Sequence, residues 1–123
     1  MKITGFNPLI ATKDAEKAVA LFEALGFEKR HKKEGIGEQD ITTIRMKDAN
    51  GFHVDVAAAD YPQDVTIIRI NVDNFNEAYE IFTRHGFKRA DGFSDDVDTG
   101  SSKFAILISP TGFVIDVAQH IKK

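Results

Sequence analysis

The sequence predicts an α+β fold in which two copies of one βαβββ module follow each other along the chain. Two sequence blocks recur in the same order. Segment 25–30, LGFEKR, returns as HGFKR at 85–89, an offset of 60, and segment 50–57, NGFHVDVA, returns as TGFVIDVA at 111–118, an offset of 61. Such recurrence is typical of duplicated structural units. We expect the modules to form a curved eight-stranded mixed sheet, or cup, with one helix per module on the outside.

The helix of each module is predicted from apolar residues spaced i, i+3, i+4 and i+7, which form one stripe along a helix. The stripes consist of Ala15, Ala18, Val19 and Phe22 in the first copy and of Phe75, Ala78, Tyr79 and Phe82 in the second. Asp14 and Asn74 precede the stripes and are suitable N-caps. Gly26 and Gly86 follow them, where a left-handed residue commonly ends a helix.

The strands are predicted from apolar and β-branched runs that are bounded by turn residues. One strand precedes each helix, at about 3–11 and 66–72. A hairpin closes each module, with strands at about 40–48 and 52–58 in the first copy and 102–109 and 113–119 in the second. The turn sequences DANG and SPTG separate the hairpin strands. We therefore expect a single domain over 1–123, with module one at 1–59, a linker at 60–65 and module two at 66–123.

Strand residues alternate between the two faces of a sheet, so the last strands indicate which face packs on the helix. The uniformly apolar faces are Phe52, Val54 and Val56 in copy one and Phe113, Ile115 and Val117 in copy two. The opposite face carries one acid in each copy, and we expect this mixed face to bind small molecules. The candidate ligand-binding residues are Asn7, Arg45, His53, Asp55, Ile67, Arg69, Phe104, Ile106 and Asp116.

The charged candidates also have a structural interpretation. Asp55 and Asp116 are expected to neutralise Arg45 and Arg69, because buried charges need partners. Direct ligand binding by the same residues is the alternative, since an arginine fork also suits a carboxylate or a phosphate. His53 is the best histidine candidate, because it lies on the acid-bearing face. Catalytic residues are not predicted.

The composition excludes several functional classes. The chain has 123 residues, a net charge of −3 and no cysteine, so thiolate nucleophiles and sulfur-ligated metals are excluded. The basic run 29–33 is flanked by glutamates and contains no aromatic residue, which is typical of a solvated strand face and not of a nucleic-acid site. Because no apolar run approaches the ~18 residues of a membrane span, we expect a soluble, cytoplasmic protein without membrane partners.

The paired modules, the helix-ending Gly-Phe pairs and the acid four residues after each turn glycine resemble the vicinal oxygen chelate superfamily over essentially the whole chain. This superfamily includes glyoxalases, bleomycin-resistance proteins and extradiol dioxygenases. The resemblance implies metal-ligand positions at Asn7, Ile67, Asp55 and Asp116. Isoleucine cannot coordinate a metal, and one amide with two carboxylates suits zinc, nickel or iron poorly, so we expect no resident metal centre. If a divalent metal does bind, Asn7, Asp55 and Asp116 would hold it.

The two copies differ on the acid-bearing face, where Asn7 stands against Ile67 and Arg45 against Ile106. With the resemblance, this asymmetry implies a protein that binds a small organic ligand without the family's metal centre and that forms a homodimer. A metal-dependent glyoxalase-like lyase or isomerase, or a dioxygenase-related protein, is the alternative. A third interpretation is a subunit whose exposed sheet serves mainly for dimerisation. The sequence predicts neither the ligand nor whether a reaction is catalysed.

Overall fold

The computed structural model describes residues 1–36, 41–90, 97–98 and 102–120. These residues contain two α-helices and nine strands. In chain order they are β1 (Ile3–Thr12), α1 (Ala15–Ala24), β2 (Glu28–Ile36), β3 (Ile41–Lys47), β4 (His53–Ala58), β5 (Val65–Val72), α2 (Phe75–Arg84), β6 (Lys88–Arg89), β7 (Val97–Asp98), β8 (Ser102–Ile108) and β9 (Val114–His120). The chain forms two compact units, which we call the module-one unit (7–66) and the module-two unit (1–6 with 67–123).

The module-one unit has the strand order β2-β3-β4-β1, with β1 parallel to β4 and the other pairs antiparallel. Helix α1 packs against β4. The apolar stripe of the helix meets one face of the strands, because period-3.6 and period-2 patterns each bring apolar side chains to one side. The core residues are Val19, Met46, Val54 and Val56, with Ile10, Ala15, Ala18, Phe22, Phe27 and Ile44 packed against them.

The module-two unit repeats this arrangement with the order β5-β9-β8-β6 and the short β7 beside β8. Strand β5 runs parallel to β9, and α2 packs against β9. The first residues of the chain join this unit, since Lys2 N donates to Asp73 Oδ1 at 2.6 Å and Asp73 N donates to Lys2 O at 3.1 Å. The core residues are Val72, Phe75, Ala78, Ala105, Leu107, Ile115 and Val117.

The predicted fold class is confirmed. Eight of the nine described strands fill the positions of two βαβββ modules, and parallel and antiparallel pairs occur in both, so the fold is α+β with mixed pairing. The two-residue β7 is additional to the prediction. The predicted starts of the last strands were one residue early, because Phe52 and Phe113 precede β4 and β9. The helix-side packing predicted for Phe52 was wrong, since this residue is 69% exposed, whereas Phe113 contacts Phe87 at the edge of the core. Phe52 and Phe113 each follow a turn glycine, where strand alternation does not yet apply.

The helix ends follow the caps that the sequence predicts. Asp14 Oδ1 accepts from Lys17 N at 3.2 Å, and Asn74 Oδ1 accepts from Glu77 N at 3.1 Å. After α2, Gly86 has φ +87°, and a Cβ there would approach Pro110 Cγ to 2.8 Å, so glycine is required on two grounds. Among the described residues, neither helix is long and apolar enough to cross a membrane.

Candidate functional site

The acid of module one lies in β4 and is held by a guanidinium fork. Asp55 is fully buried, and Arg45 lies directly opposite it on the antiparallel strand β3. Arg45 Nε donates to Asp55 Oδ1 at 3.0 Å, and Arg45 Nη2 donates to Asp55 Oδ2 at 3.3 Å. Two hydrogen bonds between opposite charges fix both the charge and the geometry of the carboxylate. The ion pair predicted from the sequence is therefore present.

Asn7, on strand β1, adds a further hydrogen bond to this carboxylate. Its Nδ2 donates to Asp55 Oδ2 at 3.1 Å and to Pro8 O at 2.9 Å. The two acceptors fix the orientation of the amide, because a flipped amide would set oxygen against oxygen. Asn7 Oδ1 consequently points away from both acceptors. It is buried, and no described residue donates a hydrogen bond to it.

His53 lies on the same face, two residues before Asp55 on β4. The parallel register pairs Leu9 with Asp55, and continuing it by two residues sets Asn7 beside His53. The Nδ1 atom of His53 is also buried, and it has no hydrogen-bond partner within the part of the chain that the structure describes. We call Asn7, Arg45, His53 and Asp55 the module-one polar cluster.

The acid of module two is neutralised from the other side. Asp116 on β9 lies between Arg69 on the parallel strand β5 and Ile106 on the antiparallel strand β8. Arg69 Nε is 3.8 Å from Asp116 Oδ2, so the predicted ion pair is present here too, at a longer separation than in module one. The pair is partly shielded from solvent, since the side chains of Arg69 and Asp116 are 21% and 9% exposed.

The two remaining predicted residues of module two are apolar. Ile67 on β5 is buried, and Phe104 on β8 is half-buried, two residues from Ile106 and on the same face. The structure therefore brings the predicted residues together as one polar set in the module-one unit and one largely apolar set in the module-two unit. Contact of any of them with a ligand stays a prediction.

Solved structures match this chain over nearly its whole length. A methylmalonyl-CoA epimerase is 19% identical with a TM-score of 0.66, and the match covers 94% of each chain. A glyoxalase/bleomycin resistance protein/dioxygenase superfamily member from Vibrio splendidus is 14% identical with a TM-score of 0.61, covering 98% of this chain and 100% of that one. Glyoxalase I from Zea mays is 16% identical with a TM-score of 0.66, covering 98% of this chain and 44% of that one.

This chain has the vicinal oxygen chelate fold. No protein-family model matches it, and no curated protein matches it. At identities below one fifth the similarity concerns the fold alone, because one fold hosts many chemistries. The activities named for the matched proteins therefore belong to those proteins.

The metal-ligand positions implied by the vicinal oxygen chelate resemblance do not fit a transition metal here. Ile67 has no donor atom, and Asn7 turns Nδ2, a hydrogen-bond donor, toward Asp55. Both carboxylate oxygens of Asp55 already accept hydrogen bonds from Arg45. Across the described ranges, no group of three or more histidine, cysteine or acidic side chains could hold a metal ion. A metal cation at Asp55 would have to displace the guanidinium of Arg45. That exchange is unfavourable, because the four implied ligand positions carry neither an imidazole nor a thiolate.

Sequence reasoning missed part of what surrounds the acids. Leu9 is absent from the predicted site, yet it lies beside Asp55 where Arg69 lies beside Asp116. The offset of 60 between Leu9 and Arg69 is the signal that could have shown this. The unpaired atoms of Asn7 and His53 had no such signal, because they depend on side-chain rotamers and not on residue type.

Proposed function

We propose that this protein binds a small organic molecule at the module-one polar cluster and that it has no resident metal centre. The observation that carries the proposal is the commitment of Asp55, the buried acid at an implied ligand position, to Arg45 and Asn7. A carboxylate engaged in this way serves to position its partners. It is not available as the first anchor of a metal ion.

The unpaired atoms of the cluster support a binding role. Buried polar atoms in folded proteins nearly always have a hydrogen-bond partner, and an exception calls for an explanation. In module one, two such atoms, Asn7 Oδ1 and His53 Nδ1, occur on neighbouring strands next to a neutralised acid. A ligand that pairs with them would recover the desolvation cost of both.

Two further parts of the proposal have separate grounds. We expect the protein to work as a homodimer, as members of this superfamily commonly do, and to act in the cytoplasm, as the sequence without a long apolar run predicts. For the module-two residues Ile67, Arg69, Phe104, Ile106 and Asp116, ligand contact stays a prediction.

A thermal-shift screen of the protein after treatment with a chelator tests the proposal. A metabolite present at about 100 times its Kd should raise the Tm by roughly 8 °C, because ligand binding to the native state adds about 2.7 kcal/mol. Asn7→Leu should reduce the shift, whereas His120→Val, at an exposed strand end, should leave it unchanged.

Two results would overturn the proposal in favour of its rivals. Turnover of a hemithioacetal by the metal-loaded protein, and not by the chelated protein, would favour a metal-dependent lyase or isomerase. A dimer whose Tm responds to no metabolite, with or without metal, would favour a module that serves mainly for dimerisation.

A further inference from the structure

We infer that the ligand of the module-one polar cluster is uncharged and presents an N–H or O–H donor to Asn7 Oδ1, as a primary amide, a urea or an alcohol does. This inference rests on the proposed function and narrows it to a class of ligand. It follows from the fixed amide of Asn7, from the unpaired His53 Nδ1 and from the charge balance of the cluster.

The amide of Asn7 determines the kind of group that it can bind. Its Nδ2 is held by Asp55 Oδ2 and Pro8 O, so the amide cannot rotate to offer its donor elsewhere. The atom left over is Oδ1, which can only accept. Asn7 is 3% exposed, so an unpaired Oδ1 has little access to bulk water. A group that satisfies this atom must therefore carry a hydrogen on nitrogen or oxygen.

The imidazole of His53 accommodates the other end of such a group. A neutral imidazole either donates or accepts through Nδ1, according to its tautomer. A primary amide and an alcohol each contain both a donor and an acceptor, so one such group can pair with Asn7 Oδ1 and His53 Nδ1 together. Leu9 and Ala57, buried on the same strands and the same face, would contact its apolar part.

The charges of the cluster disfavour an ionic ligand. Asp55 and Arg45 neutralise each other through two hydrogen bonds, so neither of these two charges needs an ion from a ligand to balance it. An anion would meet the carboxylate of Asp55, and a cation would meet the guanidinium of Arg45, each at the cost of its own desolvation. Lys47, which lies opposite His53 on β3, is exposed, and water screens its charge.

Four probes of nearly the same shape separate these possibilities: benzamide, benzoate, benzylammonium and acetophenone. Their Kd values are measured by ligand-observed NMR titration of the chelator-treated protein. Benzamide should bind most tightly. Acetophenone, which has a methyl group in place of the amide NH2 and is therefore neutral but without a donor, should bind about fivefold more weakly, as expected for the loss of one hydrogen bond.

Two variants locate the binding. Asn7→Leu should weaken the binding of benzamide by a similar factor of about five, because it removes Oδ1 and keeps the side-chain volume. His53→Val, which copies Val114 of module two, provides a second variant if Asn7→Leu does not fold. His120→Val is the matched control, since it removes a histidine from an exposed position and should leave all four Kd values unchanged.

Tighter binding of benzoate or benzylammonium than of benzamide would overturn the inference, and so would equal binding of benzamide and acetophenone. If the tighter ion loses affinity in Asn7→Leu, the proposed function stands and only the ligand class is wrong. Failure of all four probes to bind would overturn the inference. Failure of the metabolite screen as well would overturn the proposed function.

Discussion

The two acids of the repeat, Asp55 and Asp116, occupy equivalent positions and are neutralised from opposite sides. Asp55 has Leu9 beside it on the parallel strand and Arg45 on the antiparallel strand. Asp116 has Arg69 on the parallel strand and Ile106 on the antiparallel strand. Each acid therefore has one arginine and one aliphatic neighbour, and the two have exchanged places between the modules.

This exchange shows which property the fold requires at the position. Burial of a carboxylate requires a nearby cation, but either flanking strand can supply it, because both set a side chain directly opposite the acid. The closer geometry occurs in module one, where Arg45 Nε is 3.0 Å from Asp55, against 3.8 Å for Arg69 Nε and Asp116. Module one has the shorter ion pair and also Asn7, which donates a hydrogen bond to the acid. The surroundings of the acid are therefore more specialised in module one than in module two.

Removal of the two arginines should show this difference most strongly. Arg45→Met should lower the free energy of unfolding by about 3 kcal/mol, because it removes the cation that donates two hydrogen bonds to the fully buried Asp55. Arg69→Met should cost about 1 kcal/mol, since its pair is longer and partly exposed. Urea denaturation at neutral pH measures both. Equal losses would contradict the ranking of the two pairs.

Replacement of Asn7 by the residue of module two should have the next largest effect. Asn7→Ile copies Ile67 and should lower the free energy of unfolding by about 2 kcal/mol, because a hydrogen bond to a buried charge is lost. The reverse change, Ile67→Asn, is the matched variant and tests whether module two can accept the amide. If Asn7→Ile leaves the free energy of unfolding unchanged, the hydrogen bond to Asp55 makes no net contribution to stability.

Moving the arginine across the acid tests the exchange itself. The double variant Leu9→Arg with Arg45→Ile gives module one the arrangement of module two. It should be more stable than Arg45→Ile alone by about 1.5 kcal/mol, because the cation is restored on the other strand. If the double variant instead loses as much free energy of unfolding as Leu9→Arg and Arg45→Ile lose together, or more, the two flanking positions are not equivalent.

The aromatic residues after the turns should give the smallest difference. Phe113 contacts Phe87 edge to face, with ring centroids 5.4 Å apart, whereas Phe52 is 69% exposed and makes no ring contact with a described residue. Phe113→Ala should lower the free energy of unfolding by about 1 kcal/mol, and Phe52→Ala should lower it by less than about 0.5 kcal/mol. Thermal unfolding of the two variants measures this, and a reversed order would contradict the assigned packing.

Much of the fold could be predicted because the repeat supplies each element twice. The helix stripes, the caps Asp14 and Asn74 and the helix-side faces depend on local spacing, which the sequence contains. The ion pairs of Asp55 and Asp116 also followed from strand alternation. The failure at Phe52 arose because alternation was extended into the turn, where the backbone no longer alternates.

The chemistry of the site was less accessible than the fold. Strand alternation placed Asn7 and His53 on the same face but gave no information on which atoms would remain unpaired. That depends on the direction of the Asn7 amide, which Asp55 and Pro8 fix in three dimensions. The resemblance supplied the implied ligand positions, and the structure supplied the reason why Asp55 does not suit a metal.

Metal analysis of the untagged, purified protein tests the central claim most directly, that Asp55 is committed to Arg45 and not to a metal ion. Elemental analysis should find far less than one equivalent of zinc, nickel, iron or manganese per chain, and calorimetric titration with these ions should show no binding that depends on Asp55. Roughly one equivalent of tightly bound transition metal, lost in Asp55→Asn together with ligand binding or turnover, would contradict the account.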